Sequence, residues 1–508
     1  MSIIFNEDPN HYIITRYRAG VTQINENDLR DFIRQYRDTN ISDFLVCVNA
    51  GQPFYKTVRM KSIIDRLSEW EADGRLAAVE KNDVVMCVKL LRDARDRGID
   101  IFGIWLDEIR KCGMRAWVSV RMNDIHDAED HDAFLPSDFV KAHSEYMRAF
   151  YRQPSIHPEY ALDYSVAEVR EQYLNLIEET LDTYDCDGIE LDYMREPYCF
   201  AIGREQQGLK TMTEFVGQVF TLVKKSEKRR GHRIVTGVRV PSAPRDAMLL
   251  GLDVVEWLNR GYVDRLFVTP HWSGSDGNMP IDLWKSIISG RDIRLAAGLE
   301  LLLDAYNRRG RKYNYIDAGS AIGFACAYDA LGADDVYLFN YMDCINESEL
   351  TGGNDVLSKR NYAYFLRTAG DSEKMINAPR RHVVTFFDTW IPGEPPRKPL
   401  PLRVSADEGA TVYSALRIPT GVIPQGKEVS LCLGFEKGLS HGDDVNVYAA
   451  CRRCRLIGSV STPYHSYDDL DYYAYEIEND GDLPTVFIAE IGALRGTATV
   501  HWAEIDVK

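Results

Sequence analysis

The sequence predicts an α/β chain, a (β/α)8 TIM barrel followed by an all-β sandwich. Three observations predict it. Over about the first 370 residues, short apolar runs alternate with amphipathic runs of helical length. After about Gly370 the helical periodicity stops and only short strand-like runs remain. No early strand leads into the glycine-rich phosphate turn of a doubly wound open sheet, which shares the same alternation.

The elements follow in order. Tyr12–Tyr17 is apolar and β-branched and reads as the first strand, with a polar amphipathic helix over Glu26–Asp38 after it. Asp43–Asn49 is the second strand, and helical patterns cover Val84–Arg97 and Ile101–Cys112. Met114–Val120 is the third strand. A long helix over Val166–Tyr184 leads to the fourth, Asp187–Tyr193. Strands at Arg233–Val240, Val263–Thr269, Ile293–Leu299 and Asp335–Tyr341 alternate with helices at Thr211–Lys225, Asp246–Asn259, Ile281–Ser289, Tyr315–Leu331 and Asp355–Thr368. That completes eight strands. The later strands fall at His382–Phe387, Thr411–Leu416, Val429–Phe435, Asp444–Ala450, Tyr472–Ile477, Thr485–Ile491 and Thr497–Val507, separated by turns such as Asn479-Asp480-Gly481. The expected division is a catalytic barrel over 1–375 and a sandwich over 376–508. An appended sandwich either binds carbohydrate or acts structurally, and fold alone does not choose.

Composition narrows the function. The 508 residues are 45% hydrophobic and 27% charged, as in a globular protein too long for one ordinary domain. A formal net charge of −17 opposes nucleic-acid phosphates and anionic membrane surfaces. No apolar run has transmembrane length, and Met1-Ser2-Ile3-Ile4 lacks a basic-plus-apolar leader. A cytoplasmic location is the expectation, one that a chain with its leader removed would share. The ten cysteines mostly sit inside apolar patterns, as buried free thiols do in a reducing compartment. Cys451-Arg-Arg-Cys454 is a lone CxxC without the second half of a zinc ribbon, and reads as two strand residues.

The fourth strand carries the chemistry. In Asp187-Gly-Ile-Glu-Leu-Asp192-Tyr193, Ile189, Leu191 and Tyr193 alternate with Gly188, Glu190 and Asp192. Successive strand side chains face opposite ways, so two carboxylates point to one side. Arg195, Glu196 and Pro197 follow at once. Barrel enzymes place their chemistry at the C-terminal strand ends. Those ends here offer Arg121, Asn123, Asp124 and His126 after the third strand, and Arg239 at the fifth. The sixth supplies His271 and Trp272, the seventh Glu300, and the eighth Asn340 and Tyr341. Arginine and asparagine fork onto sugar hydroxyls, while tryptophan and tyrosine offer faces to pyranose rings. The run Asn123, Asp124, His126, Asp127, Asp130, His131 and Asp132 also has the composition of a hard-metal loop, without HExxH or EF-hand order.

Asp187-Gly-Ile-Glu-Leu-Asp-Tyr-Met-Arg-Glu-Pro197 resembles the DGIxFDYIRxP signature of glycoside-hydrolase-like (β/α)8 proteins. Ala161–Arg170 resembles the segment leading into that strand in the same group. The resemblance spans about Tyr12 to Thr368 and implies the barrel fold and a carbohydrate substrate. The strand is also similar to the DxxDxDxE strand of family 18 chitinases, but Glu190 stands at the middle aspartate and Met194 at the catalytic glutamate. Arg195-Glu196-Pro197 and Glu300 occupy places matching the two catalytic glutamates of clan A glycosidases, with arginine where that clan has asparagine.

The resulting expectation is a glycoside hydrolase using two carboxylates, Asp192 and Glu300, with Glu196 as alternative acid. Arg121, Asn123, Asp124, His126, Glu190, Arg195, Arg239, His271, Trp272, Asn340 and Tyr341 are the candidate substrate-binding residues. Glu190 lies deeper, where a buried ion pair is the plainer role. No organic cofactor and no metal is called for. The expected partner is an oligosaccharide or glycoside, with no nucleic acid and no membrane, and a homo-oligomer stays open. Two alternatives are a barrel that binds sugar without cleaving it, and a metal-dependent hydrolase built on residues 123–132.

Overall fold

The computed structural model describes residues 1–79, 82–130, 132–271, 274–303, 315–342, 356, 358–386, 389–395, 397–407, 410–437, 442–461 and 469–508. Eight parallel strands close into a barrel: β1 Ser2–Glu7, β2 Ile41–Cys47, β3 Arg115–Arg121, β4 Gly188–Asp192, β5 Val235–Pro241, β6 Arg265–Thr269, β7 Arg294–Leu299 and β8 Asp335–Leu338. Each pairs with its sequence neighbours, and β8 returns to β1 through Ser2↔Asp335 and Phe5↔Leu338. Asp187 ties the lower end of β4 to β3: its carboxylate accepts the Ala116 N–H at 2.7 Å and pairs with Arg110.

One strand is not where its sequence suggests. Tyr12–Tyr17 lies inside a helix, Pro9–Arg18, and the first strand is Ser2–Glu7. Local chemistry explains the correction. Asp8 caps the helix by accepting the Asn10 N–H, and Pro9 occupies the first turn, where its missing donor costs nothing. Tyr12 and Ile13 then bury one helical face. A second correction concerns Asp246–Asn259, which forms two helices, Pro244–Leu249 and Val254–Asn259, with Gly251 between them at φ 86°. The remaining barrel helices match their patterns to within a few residues, except that Thr211–Lys225 extends to Glu205–Arg230 and the last one starts at Lys359.

The barrel interior is layered. On β4 the inward residues are Gly188, Glu190 and Asp192, in ascending order. At Gly188 a Cβ would stand 2.3 Å from the Trp117 ring, so only glycine lets that indole fill the lower barrel. Ile4, Leu45, Trp117, Phe267, Ala296, Tyr337 and Phe339 form this internal plug. It is separate from the larger apolar core between strands and helices.

Beyond the barrel come two antiparallel sheets. One contains Arg380–Val383, Leu402–Asp407, Val429–Glu436, Arg455–Ser459, Leu470–Glu476 and Thr497–Val507; the other contains Tyr413–Pro419, Val445–Ala449 and Val486–Ala493. Alternating residues such as Leu431, Leu433, Val447, Ile491 and Val500 are buried in the core. Leu402–Asp407 and Arg455–Ser459 are strands that the sequence pattern does not announce. Cys451 is in a turn rather than a strand: Ala450 and Cys451 have φ of 53° and 61°, as a tight hairpin between Ala449 and Arg452 requires. The two parts of the molecule pack closely. Arg381 pairs with Asp317 of the barrel and Glu504 of the sheet, and the Gly323 Cα faces the Arg381 carbonyl where a Cβ would come within 2.0 Å.

Candidate active site

Alternation along each strand decides what reaches the top of the barrel. Asp192 ends β4, Arg239 is near the end of β5, and Glu300 directly follows β7. Arg239 donates from Nη1 to both Asp192 oxygens at 3.3 Å and from Nη2 to Glu300 Oε1 at 2.8 Å. One guanidinium therefore spans the gap between the two carboxylates. Their nearest oxygens lie inside the widest spacing that two-carboxylate hydrolysis uses, about 9.5 Å. Side-chain exposure is 1% for each carboxylate and 0% for Arg239. Burial opposes charge on Arg239, but Asp192, Tyr337, Glu300 and Glu190 outweigh it and hold the guanidinium more firmly protonated than usual. The Phe339 ring lies 3.9 Å from the Arg239 Cζ.

The other contacts fix both carboxylates. Asp192 Oδ1 accepts the backbone N–H groups of Met194 and Arg195 at 2.9 and 3.0 Å. Its side-chain arginine is thus Arg239, while Arg195 reaches it only through the backbone. Asn340, at φ 62°, donates to Glu300 Oε2 at 3.1 Å. Ser275 and Tyr341 donate to the Glu300 carbonyl at 2.7 and 2.9 Å.

Glu190 sits below Asp192, fully buried. Its donors are neutral: Asn6 at 2.9 Å and Ser119 at 2.5 Å, both to Oε2. This differs from the expected buried ion pair, because β1 and β3 bring an amide and a hydroxyl to that level rather than a cation. Burial first, and the Asp192 charge second, raise its pKa to about 7 against the pull of Ser119 and Arg239.

A second ionic group forms one wall. Arg121 pairs with Asp8 at 2.6 Å and Asp124 at 3.1 Å. Asp124 also holds His126 at 2.6 Å, and His126 meets the Arg195 guanidinium. Although burial opposes it, the charge of His126, Arg121 and Arg195 holds the Asp124 carboxyl far below the usual carboxylate range. Burial, with Arg121 close by, lowers the proton affinity of Arg195. Asp124 is thus spent on cations, and Asp127, Asp130 and Asp132 are exposed. Among the described residues no group of three or more His, Cys, Asp or Glu side chains is placed to hold a metal ion.

Glu196 lies nearby, 3.8 Å from His271, which packs edge-on against Tyr198. Two expected pocket residues are committed elsewhere. Asn123 is wholly buried, donating to the Leu162 carbonyl and accepting the Leu162 N–H, so it ties the loop together. Tyr341 is buried behind Glu300 and stacks on Phe365. Trp272 falls outside the described residues. Asn6, Asp8, Ser119 and Tyr337 belong to the site without having been anticipated. Asn6 and Asp8 flank a helix start that an Asp-Pro pair announces.

No protein-family profile matches the chain, and no curated protein sequence matches it. Solved structures of similar fold include glycoside hydrolases. A glycoside hydrolase domain of PgaB (BpsB) from Bordetella bronchiseptica has 10% identity and a TM-score of 0.40, over 70% of this chain and 99% of its own. The catalytic domain of GH30 xylanase C from Talaromyces cellulolyticus has 9% identity and a TM-score of 0.37, over 97% and 96%. A cycloisomaltooligosaccharide glucanotransferase from Paenibacillus sp. has 11% identity and a TM-score of 0.33. It aligns with 94% of this chain, which spans only 55% of the glucanotransferase. No residue role is carried over from these likenesses; the eight-stranded closed barrel with its β-rich C-terminal region stands on the chain's own strand order.

Proposed function

We propose that the chain is a glycoside hydrolase that cleaves a glycosidic bond with two carboxylates at the C-terminal mouth of the barrel. The observation that carries the reading is the Asp192–Arg239–Glu300 bridge, in which the ends of β4 and β7 meet on one buried cation. In this reading Asp192 attacks or stabilises the anomeric carbon and Glu300 handles the proton, with Glu196 beside His271 as alternative acid. Arg239 positions both carboxylates. Arg121, Asp124, His126 and Arg195 form the wall against which sugar hydroxyls bind. The substrate is a glycoside or oligosaccharide. Residues 1–375 form the catalytic unit and 376–508 the appended sheet unit. Free thiols at each described cysteine suit a reducing compartment such as the cytoplasm, and no described helix is long and apolar enough to cross a membrane.

The almost complete burial of Asp192 and Glu300 favours a second reading, a barrel that holds sugar without cleaving it. One experiment separates the two. A panel of aryl glycosides, covering many sugars in both anomers, is assayed for phenol release, with binding of each followed in parallel. Hydrolysis predicts release from at least one member. Binding with no release from any member decides for the second reading.

A further inference from the structure

A cavity of about 530 Å³ lies where the barrel meets the appended sheets. Its walls come from the loop after β6, the helix Ala318–Ala330, the segment leaving Arg380–Val383 and the strand Tyr413–Pro419. The volume is within the range of small-molecule sites, roughly 300–1,000 Å³, which favour such junctions. None of Asp192, Glu196, Arg239 or Glu300 lines it.

Three groups on its wall are unusual. Asp276 is 7% exposed, yet no cation of the described residues pairs with it; Oδ1 accepts the Asn278 N–H at 2.8 Å. Of the two arginines on this wall, Arg417 gives its guanidinium to Asn278 and Asp282, and Arg397 gives its own to Asp246. Thr385 is 3% exposed, and its hydroxyl has no hydrogen-bond partner among the described residues. A buried hydroxyl and an unpaired buried carboxylate each carry a desolvation cost that a ligand would relieve. Beside them Phe324 supplies an apolar wall, packed so tightly on Gly277 that a Cβ there would stand 3.1 Å from the ring.

We propose that this cavity is a second ligand site, for a small neutral polyhydroxylated molecule of one or two sugar rings. The charges select against the alternatives. An anion would face Asp276, and a cation would face Lys398 together with Arg397 and Arg417, whose guanidinium groups are already engaged by Asp246 and by Asn278 and Asp282. Hydroxyl groups satisfy what remains: they donate to the Asp276 carboxylate, and exchange hydrogen bonds with Thr385 while ring C–H groups lie on Phe324. Burial also raises the Asp276 pKa to about 6 against the Asn278 N–H and the Arg417 charge, as fits a carboxyl awaiting hydroxyl partners.

The test uses the full chain and calorimetric titration with glucose, galactose, mannose, xylose, maltose and cellobiose. At least one should bind saturably. Ala415→Trp, which fills the cavity from the adjoining strand, should weaken that binding tenfold or more. Thr385→Val should weaken it at least fivefold without lowering the melting temperature, and serves alone if Ala415→Trp does not fold. His126→Ala, which opens the wall proposed to hold sugar hydroxyls at the barrel mouth, should leave this binding intact, whatever happens to turnover. The proposal is overturned if no sugar binds, if binding survives the cavity variants, or if His126→Ala abolishes it.

Discussion

The two ends of the barrel are both charged, and they differ in balance. At the lower end Asp43 accepts from Arg115 at 2.8 Å, Arg265 at 3.2 Å and Trp117 Nε1 at 2.9 Å. Asp335 accepts from Arg294 at 2.7 Å, with Arg265 between the two acids. There, arginines outnumber carboxylates, and two of them reach partly into solvent. At the upper end Glu190, Asp192 and Glu300 crowd a single fully buried Arg239. The lower cluster has cations to spare and reaches water through Arg115 and Arg294, as a structural fastener does. The upper one is short of cations and dry, an arrangement that costs stability and so points to a task.

The largest expected effect tests that contrast directly. Asp192→Asn keeps the size and can still accept the Met194 and Arg195 N–H groups. Turnover of whichever aryl glycoside responds should fall by about a thousandfold or more, with sugar affinity little changed. Asp43→Asn at the other end should leave turnover per folded molecule unchanged and lower stability by about 3 kcal/mol. Equal losses of turnover in the two variants would erase the distinction between the ends.

Next in size is Arg239→Met, which leaves two buried carboxylates without their shared partner. A loss of about 3–5 kcal/mol is expected, read as a lowered melting temperature. An unchanged melting temperature would mean that the two carboxylates do not depend on Arg239.

The smallest effect concerns Glu190. Its pKa is about 7 in the fold, against an ordinary 4.5. The folded chain therefore binds the extra proton between those values. That contribution is fully present below about 4.5 and is lost as pH rises through 7. Glu190→Gln should match the parent at pH 4.5 and exceed it at pH 8, by at most about 3 kcal/mol. Melting curves at the two pH values decide it, and a variant less stable at both would show that Glu190 is wanted in its charged form.

Much of this architecture is written locally. Gly188, Glu190 and Asp192 declare their shared face by alternation alone, and strands β2 to β8 follow their apolar runs. The first strand escaped because Ser2–Glu7 ends in the polar Asn6 and Glu7 and precedes a better-looking apolar run that Asp8 and Pro9 turn into a helix. With it went Asn6 and Asp8, which is why the neutral setting of Glu190 was illegible. The pairing of Asp192 with Arg239 rather than with the Arg195 side chain was also hidden. Arg195 is three residues away in sequence, whereas Arg239 becomes a neighbour only when β4 and β5 lie in register at Asp192↔Arg239.

The seam at Ser2↔Asp335 has a consequence for how this chain is made. During synthesis β1 emerges first, yet one of its two edges stays unpaired until more than three hundred residues have followed. Until β8 arrives, the growing sheet keeps two open edges, an invitation to pair with another nascent chain. Closing so long a loop is also slow. Production of the intact protein should thus be limited by completion of the circle rather than by formation of any single β–α unit.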